Sequence, residues 1–166
     1  MAQILRLDGL TINFVSAAMI AGTTSTYTTT VATTCAINGK FATSLTAQTN
    51  TASPTTDATT GAAFVALSAN QATVLVWGVN AAGAIKLAQG SIEATEVGVT
   101  TTVGAFIRAP LFPSLPDDFC PIGYQLVRVS PTGAAFTAGT TQWAASGITC
   151  STIKNVCTLP GRPQIA

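Results

Sequence analysis

The sequence contains no histidine, and only 8% of its 166 residues carry charge, about a third of what a soluble domain usually has. Without histidine the commonest general base is missing, and with it the Ser-His-Asp and Cys-His nucleophile arrangements. The acids do not make up the loss. Asp117-Asp118 and the Glu93/Glu96 pair are the only acids close together in the sequence. Adjacent residues on a strand point to opposite faces, and in the proline-rich stretch around 117 a carboxylate serves a turn. No Gly-Lys-Ser/Thr ending follows the spaced glycines Gly78/Gly83 or Gly133/Gly139, so a phosphate loop is excluded. No motif supports a Ser-Lys or lone-Cys nucleophile. The chain reads as non-enzymatic, with no cofactor.

The seven basic residues are scattered singly (Arg6, Lys40, Lys86, Arg108, Arg128, Lys154, Arg162) against six acids. Nucleic-acid binding and attachment to anionic membranes both need clustered cations, so neither partner is expected. No apolar run approaches the roughly 18 residues of a membrane span. The stretch from Leu10 to Ala21 has the look of a signal-peptide core, but Asp8 flanks it and Asn13 interrupts it; a strand or arm is the better reading. The four cysteines (Cys35, Cys120, Cys150, Cys157) contain no C-x-x-C pair, and no zinc pattern fits them. Cys150 and Cys157 close a small loop if the protein meets oxidising conditions. As thiols, all four read as small hydrophobes, buried or half-buried.

What the chain does have is an apolar share of 48%, much of it alanine, and a polar surface of Thr, Ser, Asn and Gln. Disorder combines low hydrophobicity with high charge, which is the opposite balance. A surface so poor in charge has little electrostatic solubility of its own and suits a subunit covered by partners.

Period-two alternation marks the strands, and we find no amphipathic helix. Residues 3–7 and 10–15 alternate around Asp8-Gly9 and predict a short hairpin; a threonine-dominated run follows from Gly22 to Thr34. Asn38-Gly39 predicts a type I′ turn, with a returning strand from Phe41 to Gln48. Residues 49–61 read as a flexible loop. Thr73, Leu75, Trp77 and Val79 share one strand face and Val74, Val76 and Gly78 the other, which predicts a central strand covered on both sides. Asn80–Gly83 turns it into a return strand over 84–92. Residues 97–107 and 121–129 are further strands. Pro110, Pro113 and Pro116 predict an extended crossing between them, and 136–149 is a turn-rich ending. Strand signals at this spacing predict an all-β protein: a β-sandwich or jelly-roll-like domain with an extended N-terminal arm or small sheet. Residues 1–60 would be the arm making assembly contacts, and 61–166 the core domain.

Trp77 reads as a core tryptophan because its neighbours are apolar. Trp143 lies among polar loop residues and is a candidate contact for a partner protein or a glycan; Tyr27 and Phe14 in the arm are candidate partner contacts as well. The threonine run is too irregular for an ice-binding ladder. A type IV pilin would need a long apolar N-terminal helix that this sequence does not have.

The stretches YTTTVATTCAINGK, VLVWGVNAAGAIKLAQGSI, LPDDFCPIGYQLVRV and FTAGTTQWAASGIT cover about two-thirds of the chain. Together they resemble virion structural proteins of tailed bacteriophages, of the decoration, cement or head-fibre kind. That resemblance implies a trimer bound to the outer face of a capsid lattice, with the major capsid protein as partner and the virion as location. The alternative it leaves is a tail- or fibre-associated protein with a receptor- or glycan-binding role.

Overall fold

A computed structural model describes residues 9–165, and among them there is no helix. The fold is all-β and sandwich-like. Its centre is one antiparallel pair, β7 (Gln71–Asn80) and β10 (Phe119–Val129). β7 is buried along both faces, as its unbroken apolar run predicted. β8 (Ile85–Gln89) and β9 (Glu93–Ala94) pair with β7 on its other side, while β11 (Ile148–Cys150) and β12 (Lys154–Asn155) pair with β10. A six-stranded sheet results.

Two layers cover this sheet. On one face Leu75, Trp77, Val79, Ile122, Val127 and Val129 pack against side chains of two small N-terminal sheets, together with Phe136 and Trp143. On the other face Val74, Val76, Tyr124 and Leu126 are covered by Phe106, Phe112, Leu115, Val156 and Leu159. The proline-led crossing therefore lays Phe112 and Leu115 over the sheet without forming a strand of its own.

Between residues 9 and 60 the chain forms two three-stranded sheets. In the first, β1 (Ile12–Asn13), β4 (Cys35–Ile37) and β5 (Lys40–Phe41) pair in that order around the Asn38-Gly39 turn. Both turn residues sit at positive φ (50° and 76°), which the type I′ geometry requires. In the second, β3 (Thr26–Thr29) lies between β2 (Met19–Ala21) and β6 (Gln48–Ala52). Small sheets thus stand where an arm was the alternative. Met19, Tyr27, Cys35, Ile37 and Leu45 enter the same core as β7 and β10, so residue 60 marks no break in the packing.

Several local expectations are corrected. The strand read at 97–107 is a loop: Thr100 at φ 51° turns the chain, and Val99 and Thr102 bond each other across it. The return strand read at 41–48 ends at Phe41. The loop read at 49–61 begins as β6, because Thr28 and Thr29 hydroxyls accept from Asn50 N (3.0 Å) and Gln48 N (3.0 Å) and hold that polar edge. The four cysteines are free thiols, as read, but Cys157 is exposed rather than buried or half-buried. The first strand of the N-terminal hairpin, at 3–7, lies outside the described residues.

The C-terminal segment fastens the small sheets down through Asn155. Its Oδ1 accepts from Met19 N (2.7 Å) and its Nδ2 donates to Met19 O (3.1 Å), so one amide side chain imitates a neighbouring strand at the edge of β2. Asn155→Ala leaves both main-chain groups without these partners, and Met19 is fully buried. We expect a loss of about 1–3 kcal/mol in denaturant unfolding. An unchanged midpoint would show that water replaces the clip at no cost.

Candidate functional site

The three aromatic residues proposed from sequence as partner contacts do not behave alike. Tyr27 occupies an inward position on β3, where burial alternates along the strand. Its ring lies 5.5 Å from that of Trp77, and burial pushes its phenol above the ordinary value. Trp143 is also buried. Its ring sits 6.0 Å from Trp77 and 5.7 Å from Phe136, and its Nε1 donates to Thr26 O at 2.8 Å. Both residues belong to the core. The polar neighbours of Trp143 misled the reading because they are neighbours in sequence only. In space the indole packs against the rings of Trp77 and Phe136.

Phe14 is different. It follows β1 at 44% exposure, and its ring packs 5.7 Å from that of Phe41, which is 71% exposed. Phe41 was not singled out from the sequence. Its signal was its position: an aromatic residue directly after the Asn-Gly-Lys turn must lie on the short returning strand, at the edge of its sheet. Leu10, joined through its carbonyl to Gly39 N (2.9 Å), and Val15 extend the apolar exposure on either side of Phe14 along the chain. Lys40 stands beside Phe41 in β5. A second group of exposed apolar side chains (Val97, Val99, Ile107, Leu111) lies on the loops between β9 and β10.

Charged groups are few, and some are engaged. Glu93 pairs with Arg108 at 3.3 Å and accepts from Ser91 Oγ at 2.8 Å. The buried carboxylate of Asp57 accepts from Thr59 N, Thr60 Oγ1 and Gln89 N at 3.1–3.2 Å, closing the turn that leads to Ala62. Asp117 and Asp118 are exposed ahead of β10. Among the described residues no group of three or more His, Cys, Asp or Glu converges on a metal-sized site. An open groove of about 610 Å³ runs along residues 153–160 beneath Tyr124. The exposed aromatic pair is therefore the clearest feature of this surface. No helix among the described residues is long and apolar enough to cross a membrane.

Comparison with protein-family models, curated proteins and solved structures finds no match.

Proposed function

We propose that this chain is a non-enzymatic virion structural protein. In this reading it is a decoration or cement protein, bound as a homotrimer to the outer face of a tailed-phage capsid lattice and stabilising it. The reading rests on the sequence resemblance described above and on one structural observation, the solvent-facing Phe14–Phe41 pair on a chain with very little charge. Two aromatic rings left in water forfeit the gain of burial, about 25 cal/mol per Å² of apolar area, which a partner surface would recover. The partner is the major capsid protein, and the location is the virion, assembled in the host cytoplasm. Neither nucleic acid nor a membrane takes part. Repeated contacts around a symmetry axis would also cover the short open edges of the small sheets.

The alternative, a tail- or fibre-associated protein with a receptor- or glycan-binding role, drew on exposed aromatics such as Trp143, and that indole is buried.

The test mixes purified protein with undecorated capsids and measures occupancy and the heat resistance of the shell. Wild-type protein is expected to bind at micromolar concentration or below, with a native mass in solution three times that of the chain. The double substitution Phe14→Ser, Phe41→Ser should weaken capsid binding about 100-fold or more, because aromatic anchors at interface centres dominate binding energy. Its melting temperature should stay close to that of the wild type. Binding unaffected by the double substitution would remove this face from the interface, and no wild-type binding would count against the whole reading.

A further inference from the structure

Asn38-Gly39 is the one Asn-Gly pair among the six asparagines of the chain, and Asn38 lies exposed in the turn between β4 and β5. The main-chain nitrogen after an asparagine can attack the side-chain carbonyl carbon. Glycine, with no Cβ to block the approach, hinders that attack least. In the folded chain both reacting groups have other partners. The nucleophile, Gly39 N, donates to Leu10 O at 2.9 Å. The amide under attack donates through its Nδ2 to Asp117 O at 3.2 Å. A third bond, from Asn38 N to Thr11 Oγ1 at 3.2 Å, ties the turn to the same short segment as the first. Leu10 and Thr11 precede β1, an end strand of its sheet, and such edges open locally at low cost.

We propose that Asn38 is a deamidation site locked by residues 10–11, and that its modification starts when that segment detaches from the turn. Gly39 N then gives its proton to solvent base and attacks Asn38 Cγ. The bond from Cγ to the amide nitrogen breaks, that nitrogen takes up a proton and leaves as ammonia, and a succinimide ring remains. Water adds to one of the two ring carbonyls and opens the ring, which returns the N–H and leaves aspartate or isoaspartate at position 38. One side-chain amide and one water thus become one carboxylic acid and one ammonia.

Either product undoes contacts that the turn now makes. A carboxylate at position 38 has no N–H for Asp117 O, and it brings negative charge next to Asp117 and Asp118. Isoaspartate also runs the main chain through the side-chain carbon. The turn is then one atom longer, the tight type I′ geometry no longer closes, and Phe41 is carried away from Phe14. The turn is therefore a slow, one-way switch on the packing of that ring pair. The proposal does not depend on what covers those rings.

The test ages the folded full-length protein in a mildly alkaline buffer beside a sample in denaturant, and follows mass and isoaspartate in the peptide holding Asn38. The denatured sample should gain about 1 Da there about tenfold faster or more, because only the open form reacts. Thr11→Val keeps the side-chain shape and removes the acceptor of Asn38 N. It should speed the folded reaction about three- to tenfold, the effect of one hydrogen bond. Thr28→Val, which removes a comparable acceptor from the second small sheet, should leave the rate unchanged. In the wild type, low denaturant should raise Gly39 amide exchange and Asn38 deamidation together. Deamidation that stays flat while that exchange rises would overturn the proposal, and that result needs no variant. So would equal rates in the folded and denatured samples, no acceleration by Thr11→Val, or an equal acceleration by Thr28→Val.

Discussion

Replacing Trp143 with alanine is expected to lower the unfolding free energy by about 3–5 kcal/mol, a large share of the stability of a domain this size. Three losses add up. The indole fills the space between Trp77 and Phe136, at ring separations of 6.0 and 5.7 Å, so its removal leaves a cavity lined by aromatic rings. Aromatic pairs of this geometry contribute beyond their buried area. The third loss is the bond from Nε1 to Thr26 O (2.8 Å), which ties the turn-rich ending to β3. Trp143→Phe keeps most of the volume and should cost only about 1–2 kcal/mol, mainly through the abandoned carbonyl. Denaturant unfolding followed by Trp77 fluorescence measures both. A Trp143→Ala protein that unfolds at the wild-type midpoint would mean that this indole does not close the core. The same experiment bears on function. Any loss of binding in Trp143→Ala must be read against its stability, whereas a loss in the Phe14/Phe41 variant is not confounded in this way.

Local chemistry made part of this architecture legible in the sequence. The β7–β8 hairpin followed from alternation on both sides of Asn80–Gly83, and the β4–β5 turn from a single Asn-Gly pair. Both signals lie within a few residues of what they specify. The failures share the opposite property. Trp143 is buried by a carbonyl 117 positions away and by rings from β7 and residue 136, none of which its polar neighbours announce. Residues 97–107 carry β-branched side chains suited to a strand, yet among the described residues they make only isolated bridges, Phe106 to Thr95 and Val99 to Thr102, and the segment turns back on itself. β6 failed in the other direction. Its residues are small and polar, and threonine hydroxyls on β3, not apolar periodicity, hold it in place. The candidate site divides along the same line. Phe14 could be proposed from its segment, but its pairing with Phe41 depends on how three strands order themselves.

Gly78→Val is expected to be at least as damaging as the loss of Trp143, because it strikes the pair of strands on which both layers rest. Gly78 lies towards the C-terminal end of β7, opposite Pro121, where the register of β10 slips by one residue and Ile122 becomes the extra residue of a bulge. The bulge accommodates a proline, which has no N–H to give, in an otherwise central strand. The ring of Phe119 lies against the place a Gly78 side chain would occupy; a Cβ built there would clash with its Cε1, Cζ and Cδ1. Alanine must therefore displace Phe119, buried at 3% exposure, at a cost of about 1–3 kcal/mol. The branched valine should cost more and expose the layer formed by Phe112, Leu115 and Leu159. Steric exclusion predicts a specific rescue. Phe119→Leu alone should destabilise, yet Gly78→Ala combined with Phe119→Leu should cost less than the sum of the two single changes, by about 1 kcal/mol or more. Strict additivity in that double-mutant cycle would show that Gly78 is required by the backbone of the bulge and not by the ring above it.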